Sequence, residues 1–87
     1  MRYRIEFKPS AAKELAKIQR PDQIRIVHRI DELSLHPRPL GVEKLKGAEN
    51  LYRLRVGDYR VIYAVEQDRL LILVVKVGHR REIYRRF

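Results

Sequence analysis

Arginines in the second half of the chain are spaced so that their side chains could meet and bind phosphate: Arg53, Arg55, Arg60, Arg80 and Arg81. Residues two apart in a strand share a face, so Arg53 and Arg55 would project together, and a hairpin turn would bring Arg60 beside them. Guanidinium groups gathered in this way repel one another unless an anion lies between them, and their planar shape suits a phosphate. The spacing alone leaves two interpretations open, a phosphate site and a solvated basic surface with Glu82 and Asp58 as internal partners.

An apolar run from Leu70 to Val77 is the element that would hold the second part of this cluster. It is interrupted only by Lys76, which is typical of a strand buried on both faces in the middle of a sheet. The run ends at Gly78, and an imidazole, two guanidiniums, a carboxylate and a phenol follow from His79 to Tyr84. A rigid strand would therefore deliver these groups to one end of the sheet, where we expect the chemistry.

The remaining segments show patterns typical of strands, helices and a loop. Polar and apolar residues alternate over Arg2–Phe7 and Leu51–Val56, which predicts two further strands, and Tyr59–Val65 is predicted as a third because it follows the Gly57-Asp58 hairpin turn. Apolar stripes at helical spacing predict two short helices that meet at Pro21-Asp22, with Asp22 capping the second, and Arg38–Asn50 reads as a loop. The predicted fold class is α+β in the order β-α-α-β-β-β, an antiparallel meander with a helical hairpin packed on one face, in a single domain over residues 1–87.

The chain is short and strongly basic. Its 87 residues include 20 Lys and Arg against 11 Asp and Glu, a net charge of +9, and no cysteine. A basic excess rich in arginine indicates nucleic acid or an acidic protein as the partner. Without cysteine there are no disulfides or thiolate metal ligands, and the three histidines are scattered. No 18-residue apolar run is present and the N-terminus M-R-Y-R-I-E-F-K is charged, so we expect neither a spanning helix nor a signal peptide, and a cytoplasmic protein. With no credible ligand set in the sequence, we expect no metal and no cofactor.

Two stretches resemble the paired signature of the RelE branch of the RelE/ParE toxin superfamily. They are L-Y-R-L-R-V-G-D-Y-R-V-I-Y, from Leu51, and V-G-H-R-R-E-I-Y, from Val77. The resemblance covers most of the chain and includes the segments F-K-P-S-A-A-K-E-L, H-P-R-P and L-K-G. It implies a microbial RNase-like fold of RelE type and ribosome-dependent cleavage of mRNA in the ribosomal A site. It also implies a cognate acidic antitoxin, encoded by an adjacent gene, in a toxin–antitoxin hetero-oligomer.

The resemblance also implies roles for single residues. It assigns catalytic roles to Arg60, Arg80 and Tyr84 and RNA binding to Arg53 and Arg55, where some relatives have lysine. His79 beside Arg80 departs from the family pattern and is a further catalytic candidate, and Arg81, from the same basic set, is a further RNA-binding candidate. Because arginine stays protonated at any working pH, a base and an acid must come from Tyr84, His79, Glu82 or the ribosome. Histidine titrates nearest neutrality, whereas Tyr84 would need a lowered pKa and can instead stack on a base. For His79, a structural role at the strand end is the alternative.

Two further functions fit the same sequence features. A ParE-like DNA gyrase poison has the same fold, and in it these arginines would be surface charge. A non-toxic binding or regulatory module would have no activity of its own. The presence of Arg60, Arg80 and Tyr84 together favours the metal-independent endoribonuclease, with ribosome and mRNA as its partners.

Overall fold

Residues 2–83, which the computed structural model describes, fold into one five-stranded sheet and two α-helices. The elements are β1 (Arg4–Phe7), α1 (Pro9–Ala16), α2 (Arg20–Glu32), β2 (Glu43–Lys44), β3 (Leu51–Val56), β4 (Tyr59–Glu66) and β5 (Leu71–His79). The strands lie in the order β1-β5-β4-β3-β2, with β1 parallel to β5 and the other neighbours antiparallel. This arrangement confirms the predicted α+β fold, including the antiparallel meander.

β5 lies inside the sheet, between β1 and β4, as its apolar run predicts. Ile72 and Val74 are both 0% exposed, so neither sits at a solvated edge. The strand begins one residue later than the sequence suggests. Leu70 adopts φ +49, in the left-handed region, and ends the short 3-10 turn over Gln67–Arg69 that joins β4 to β5.

Two local predictions are wrong. The loop predicted over Arg38–Asn50 contains β2, whose two residues are too few to show a strand period. Asp22 does not cap α2, because that helix begins at Arg20 and Asp22 lies in its first turn, paired with Arg25. The reason is Pro21, whose fixed φ and missing N–H suit the first turn of a helix. The helix therefore begins before the proline and not after it.

The helices cover one face of the sheet and form the core with it. Its buried members are Ala11, Ile26, Ile30, Leu33, Leu54, Val56, Val61, Tyr63, Val65, Ile72, Val74 and Val77. Burying each large apolar side chain contributes about 1.5–3 kcal/mol, which makes the sheet a rigid support. Because strand residues alternate between faces, the arginines next to Leu54, Val56 and Val61 project from the opposite face.

Tyr63 ties the segment after α2 to the sheet. It is buried in the core, and its hydroxyl donates a hydrogen bond to the carbonyl oxygen of Pro37 at 2.8 Å. Its ring stacks on Tyr52 with centroids 5.8 Å apart, and the guanidinium of Arg38 lies 5.9 Å from the centroid of the Tyr52 ring. These contacts fix the start of the connection that leads to β2.

Tyr63→Phe is expected to change how stability depends on pH in the alkaline range. Burial raises the pKa of Tyr63, with Tyr52 adding to the shift and Arg38 opposing it. The unfolded chain ionises this tyrosine near pH ~10 while the folded chain keeps it protonated, so the wild type loses about 1.4 kcal/mol of unfolding free energy per pH unit above that point. Phenylalanine cannot ionise, and the variant escapes this loss.

Urea unfolding of both proteins from neutral pH upward checks this expectation. At neutral pH the variant should be less stable by roughly 1 kcal/mol, because the hydrogen bond to Pro37 is gone. Above pH ~10 this difference should shrink and, within about one pH unit, change sign, since all other titrating groups are shared. A constant difference at every pH would contradict the assignment.

Candidate functional site

Five arginine side chains line one groove beside the hairpin of β3 and β4. The groove has a volume of about 570 Å³ and is lined by Gly41, Glu43, Arg53, Arg55, Arg60, Arg80 and Arg81. We call it the arginine groove. β3 contributes two of the arginines, β4 one, and the residues after β5 the remaining two. All the arginines that the sequence grouped together therefore meet in space.

A tight turn and the strand register set the positions of Arg55 and Arg60. Gly57 adopts φ +58 in the two-residue turn between the strands, a conformation that glycine reaches without steric cost. The register then places Arg55 directly opposite Arg60, and Arg60 opposite Gly78 of β5. Like charges in direct cross-strand contact are destabilising, so this pair favours an anion-binding role over a stabilising one.

Two acidic residues neutralise part of the charge. Arg53 Nη2 lies 2.7 Å from Glu43 Oε2, a short ion pair. Arg80 Nε lies 3.7 Å from Asp58 Oδ1, which is too long for a good hydrogen bond, and both side chains are more than half exposed. Water screens such a pair, so the charge of Arg80 remains available to a ligand.

The other arginines lack acidic partners in the part of the chain that the structure describes. Arg60 Nη1 donates to the carbonyl oxygens of Gly57 and Tyr59, at 3.0 and 2.9 Å, which orients the guanidinium and leaves its charge in place. No carboxylate within residues 2–83 forms an ion pair with Arg55 or Arg81. The groove therefore keeps an excess of positive charge. A solvated basic surface would need acidic partners for these arginines within the protein, and the groove has too few of them.

A turn after β5 holds the last two arginines at the groove. The backbone N–H of Arg80 donates to the carbonyl oxygen of Asp58 at 2.8 Å, and that of Ile83 donates to the carbonyl oxygen of His79 at 3.0 Å. Ile83 is 0% exposed and packs beside Gly78, where an added Cβ would lie 3.2 Å from Ile83 Cδ1. Glycine at this position lets the chain fold back tightly.

His79 lies outside the arginine groove. Its ring meets Tyr59 edge-on with centroids 5.7 Å apart, and its Nδ1 accepts a hydrogen bond from the backbone N–H of Arg81 at 3.2 Å. Together with Glu82 it lines a separate groove between α1 and the end of β5. These contacts favour the structural alternative, and a catalytic role for His79 stays a prediction. Tyr84 lies outside the described residues, so its role stays a prediction as well.

Glu43 is the charged residue of the groove that the sequence did not predict. It lies on β2 opposite Arg53, within the segment predicted to be a loop. A two-residue strand gives no periodic signal, and the ion pair with Arg53 depends on a strand pairing that no local pattern predicts. The carboxylate matters because it lowers the positive charge at that end of the groove.

The described residues contain neither a metal centre nor a membrane-spanning helix. Within residues 2–83, no group of three or more His, Asp or Glu side chains is arranged to hold a metal ion. In the same part of the chain, neither α1 nor α2 is long and apolar enough to cross a membrane.

Known proteins resemble this chain along almost its whole length. The family model described as ParE toxin of type II toxin-antitoxin system, parDE, matches residues 5–84. Toxin RelE3 of Methanocaldococcus jannaschii is 34% identical over 85 residues, which cover 93% of this chain and 94% of that protein. The mRNA interferase toxin RelE of Escherichia coli K12 is 30% identical over 88 residues, covering 97% and 92% of the two chains.

Solved structures show the same likeness. The archaeal RelE–RelB complex from Pyrococcus horikoshii contains a chain that matches with a TM-score of 0.81 and 34% identity, covering 92% of this chain and 97% of that one. The intact E. coli RelBE toxin–antitoxin complex matches with a TM-score of 0.80 and 25% identity, covering 88% and 95%. These matches confirm the resemblance seen in the two sequence stretches, and the chain belongs to the RelE/ParE superfamily as a RelE-like type II toxin.

Proposed function

We propose that this chain is the toxin of a type II toxin–antitoxin system and a ribosome-dependent endoribonuclease that cleaves mRNA in the ribosomal A site and inhibits translation. The observation that carries the proposal is the arginine groove, whose excess of guanidinium groups suits a polyanion. The E. coli relative named mRNA interferase toxin RelE supports RNA as the substrate.

The proposed reaction is attack of an RNA 2′-hydroxyl on the adjacent phosphate. The bond from the 2′-oxygen to phosphorus forms as the bond to the 5′-oxygen breaks. A base takes the proton of the 2′-hydroxyl, and an acid protonates the departing 5′-oxygen. The products are a 2′,3′-cyclic phosphate and a 5′-hydroxyl end. Fixed guanidiniums would stabilise the extra negative charge of the transition state without a metal ion.

Each arginine has a place in this scheme. Arg80 would neutralise the reacting phosphate, because its charge is only weakly paired. Arg60, held by two backbone carbonyls, would bind the neighbouring phosphate with little loss of side-chain freedom. Contacts to the RNA backbone would come from Arg53, Arg55 and Arg81. The base and the acid would come from Tyr84, His79, Glu82 or the ribosome.

The proposed partner is a small acidic antitoxin encoded by an adjacent gene. The complexes of RelE with RelB from P. horikoshii and E. coli support a hetero-oligomer of this kind. A net charge of +9 on the toxin would make association with an acidic partner fast and sensitive to salt. Both proteins would meet in the cytoplasm, where translating ribosomes are found.

A DNA gyrase poison is the second candidate function. One observation favours it, because the matching family model bears the name of the ParE toxin. In a gyrase poison the arginine groove would be surface charge, and its arginines would not take part in RNA cleavage.

Purified protein distinguishes the two functions. We expect it to cut mRNA on programmed ribosomes, to leave free mRNA and gyrase supercoiling unaffected, and to stop cutting when the antitoxin from the adjacent gene is added. The cut ends should carry a 2′,3′-cyclic phosphate and a 5′-hydroxyl, which phosphatase and kinase labelling identify. Intact mRNA together with loss of gyrase activity would establish the second candidate in place of the first.

A further inference from the structure

The second half of β5 lacks a neighbouring strand on one side. β1 pairs with β5 only from Leu71 to Val74, whereas β5 continues to His79. The pairing ends where the chain turns into α1, with the backbone N–H of Lys8 donating to the carbonyl oxygen of Val74 at 2.9 Å. Beyond this point the backbone N–H groups on the open side of β5 need another acceptor.

Glu14 of α1 provides that acceptor. Its Oε1 accepts a hydrogen bond from the backbone N–H of Val77 at 3.0 Å, and its Oε2 accepts one from Lys76 Nζ at 3.2 Å. The side chains of Glu14 and Lys76 are only 33% and 20% exposed, so these charge-assisted bonds are partly shielded from water. The carboxylate thus takes the place of the missing strand.

The residues that Glu14 holds come directly after a bulge. Ile62 of β4 faces Lys76, but the next residue, Tyr63, faces Val74, which leaves Val75 without a partner. A bulge bends a strand and changes the direction of the residues that follow it. The segment of β5 that follows the bulge pairs with β4 on one side and forms hydrogen bonds to Glu14 on the other. It lies just before Arg80 in the chain.

We propose that Glu14 is a positioning residue for Arg80. By fixing the end of β5, its carboxylate sets the distance between the Arg80 guanidinium and the phosphate bound in the arginine groove. The inference rests on the proposed function, in which Arg80 stabilises the transition state. A group displaced by about 1 Å can cost ~100-fold in rate, so α1 would contribute to catalysis without touching RNA.

Three variants test this role in cleavage of mRNA on programmed ribosomes. Glu14→Ala removes both hydrogen bonds, and we expect kcat to fall about 10- to 100-fold with KM unchanged. Glu14→Gln keeps an oxygen that can accept from Val77 and should recover most of that loss. Glu32→Ala is the matched control, because Glu32 is an exposed helical carboxylate on α2 that pairs with Arg29, and it should behave as wild type.

A double variant separates positioning from a general loss of structure. If Glu14 acts through Arg80, adding Glu14→Ala to Arg80→Ala causes no further loss of rate. A full additional loss in that background overturns the proposal. So does a Glu14→Ala enzyme as active as Glu32→Ala.

The Arg80 Nε–H signal in ¹⁵N NMR spectra gives a readout that does not depend on cleavage. We expect it to shift in Glu14→Ala and less in Glu14→Gln, while Glu32→Ala leaves it in place. If the wild type cuts no mRNA, the proposed function fails and this signal alone decides the positioning role. A signal that is the same in all variants overturns the role. Should Glu14→Ala fail to fold, the comparison of Glu14→Gln with Glu32→Ala decides in the same way.

Discussion

Arg80→Ala is expected to slow mRNA cleavage by about 10²- to 10³-fold, the usual effect of removing a charge donor aimed at a transition state. The backbone of Arg80 is tied to the turn between β3 and β4, because its N–H donates to the carbonyl oxygen of Asp58 at 2.8 Å. Its guanidinium lies 3.7 Å from the Asp58 carboxylate and is half exposed, so a phosphate can take over the contact. Single-turnover cleavage on programmed ribosomes measures the effect.

Two variants serve as controls for this result. Arg69→Ala removes another exposed arginine, which pairs with Glu66 at 3.0 Å in the turn between β4 and β5, and this variant should cut at the wild-type rate. Arg80→Lys keeps the charge but not the planar fork, so an intermediate rate is expected. The backbone contact to Asp58 does not need the side chain, and Arg80→Ala should therefore stay folded by circular dichroism. An Arg80→Ala protein that remains fully toxic would refute the assigned role.

The sequence predicted those parts of the site that depend on strand period. Alternation over Leu51–Val56 placed Arg53 and Arg55 on one face, and the long apolar run placed β5 inside the sheet. The hairpin at Gly57 then brought Arg60 beside them, as its turn residues suggested. These features are local, because neighbouring residues determine both the alternation of a strand and a tight turn.

The parts that depend on distant contacts could not be predicted in this way. Glu14 and Val77 are 63 residues apart, and a single glutamate on a helix reads as a surface residue. The contact of Glu43 with Arg53 needs a strand of two residues, which leaves no pattern. The sequence also grouped His79 with the arginines, although neighbouring residues of a strand point to opposite sides, and the structure places His79 in a different groove.

Arg55→Ala is expected to weaken RNA binding more than Arg53→Ala does. No carboxylate within residues 2–83 pairs with Arg55, whereas a phosphate must compete with Glu43 for Arg53. A lost charge-assisted contact of about 1.5–3 kcal/mol raises Kd roughly 10- to 100-fold for Arg55→Ala, and Arg53→Ala should fall below that range. The fall of log K with log salt should also become less steep, by about 0.7 for each lost contact to single-stranded RNA. Fluorescence anisotropy with a short RNA over a series of salt concentrations measures both quantities.

Glu43→Gln is expected to strengthen RNA binding at the Glu43–Arg53 pair, where Arg53→Ala weakens it. Removing this carboxylate takes away one anion that competes with a phosphate for Arg53, so RNA should bind more tightly and the dependence on salt should become steeper, by at most about 0.7 in the slope. Glu49→Gln is the matched control, because it makes the same change in net charge at an exposed loop residue that does not line the arginine groove. Long-range attraction acts equally in both variants, whereas relief of competition for Arg53 acts only in Glu43→Gln. Equal gains in affinity for the two variants would mean that the arginine groove is not where RNA binds.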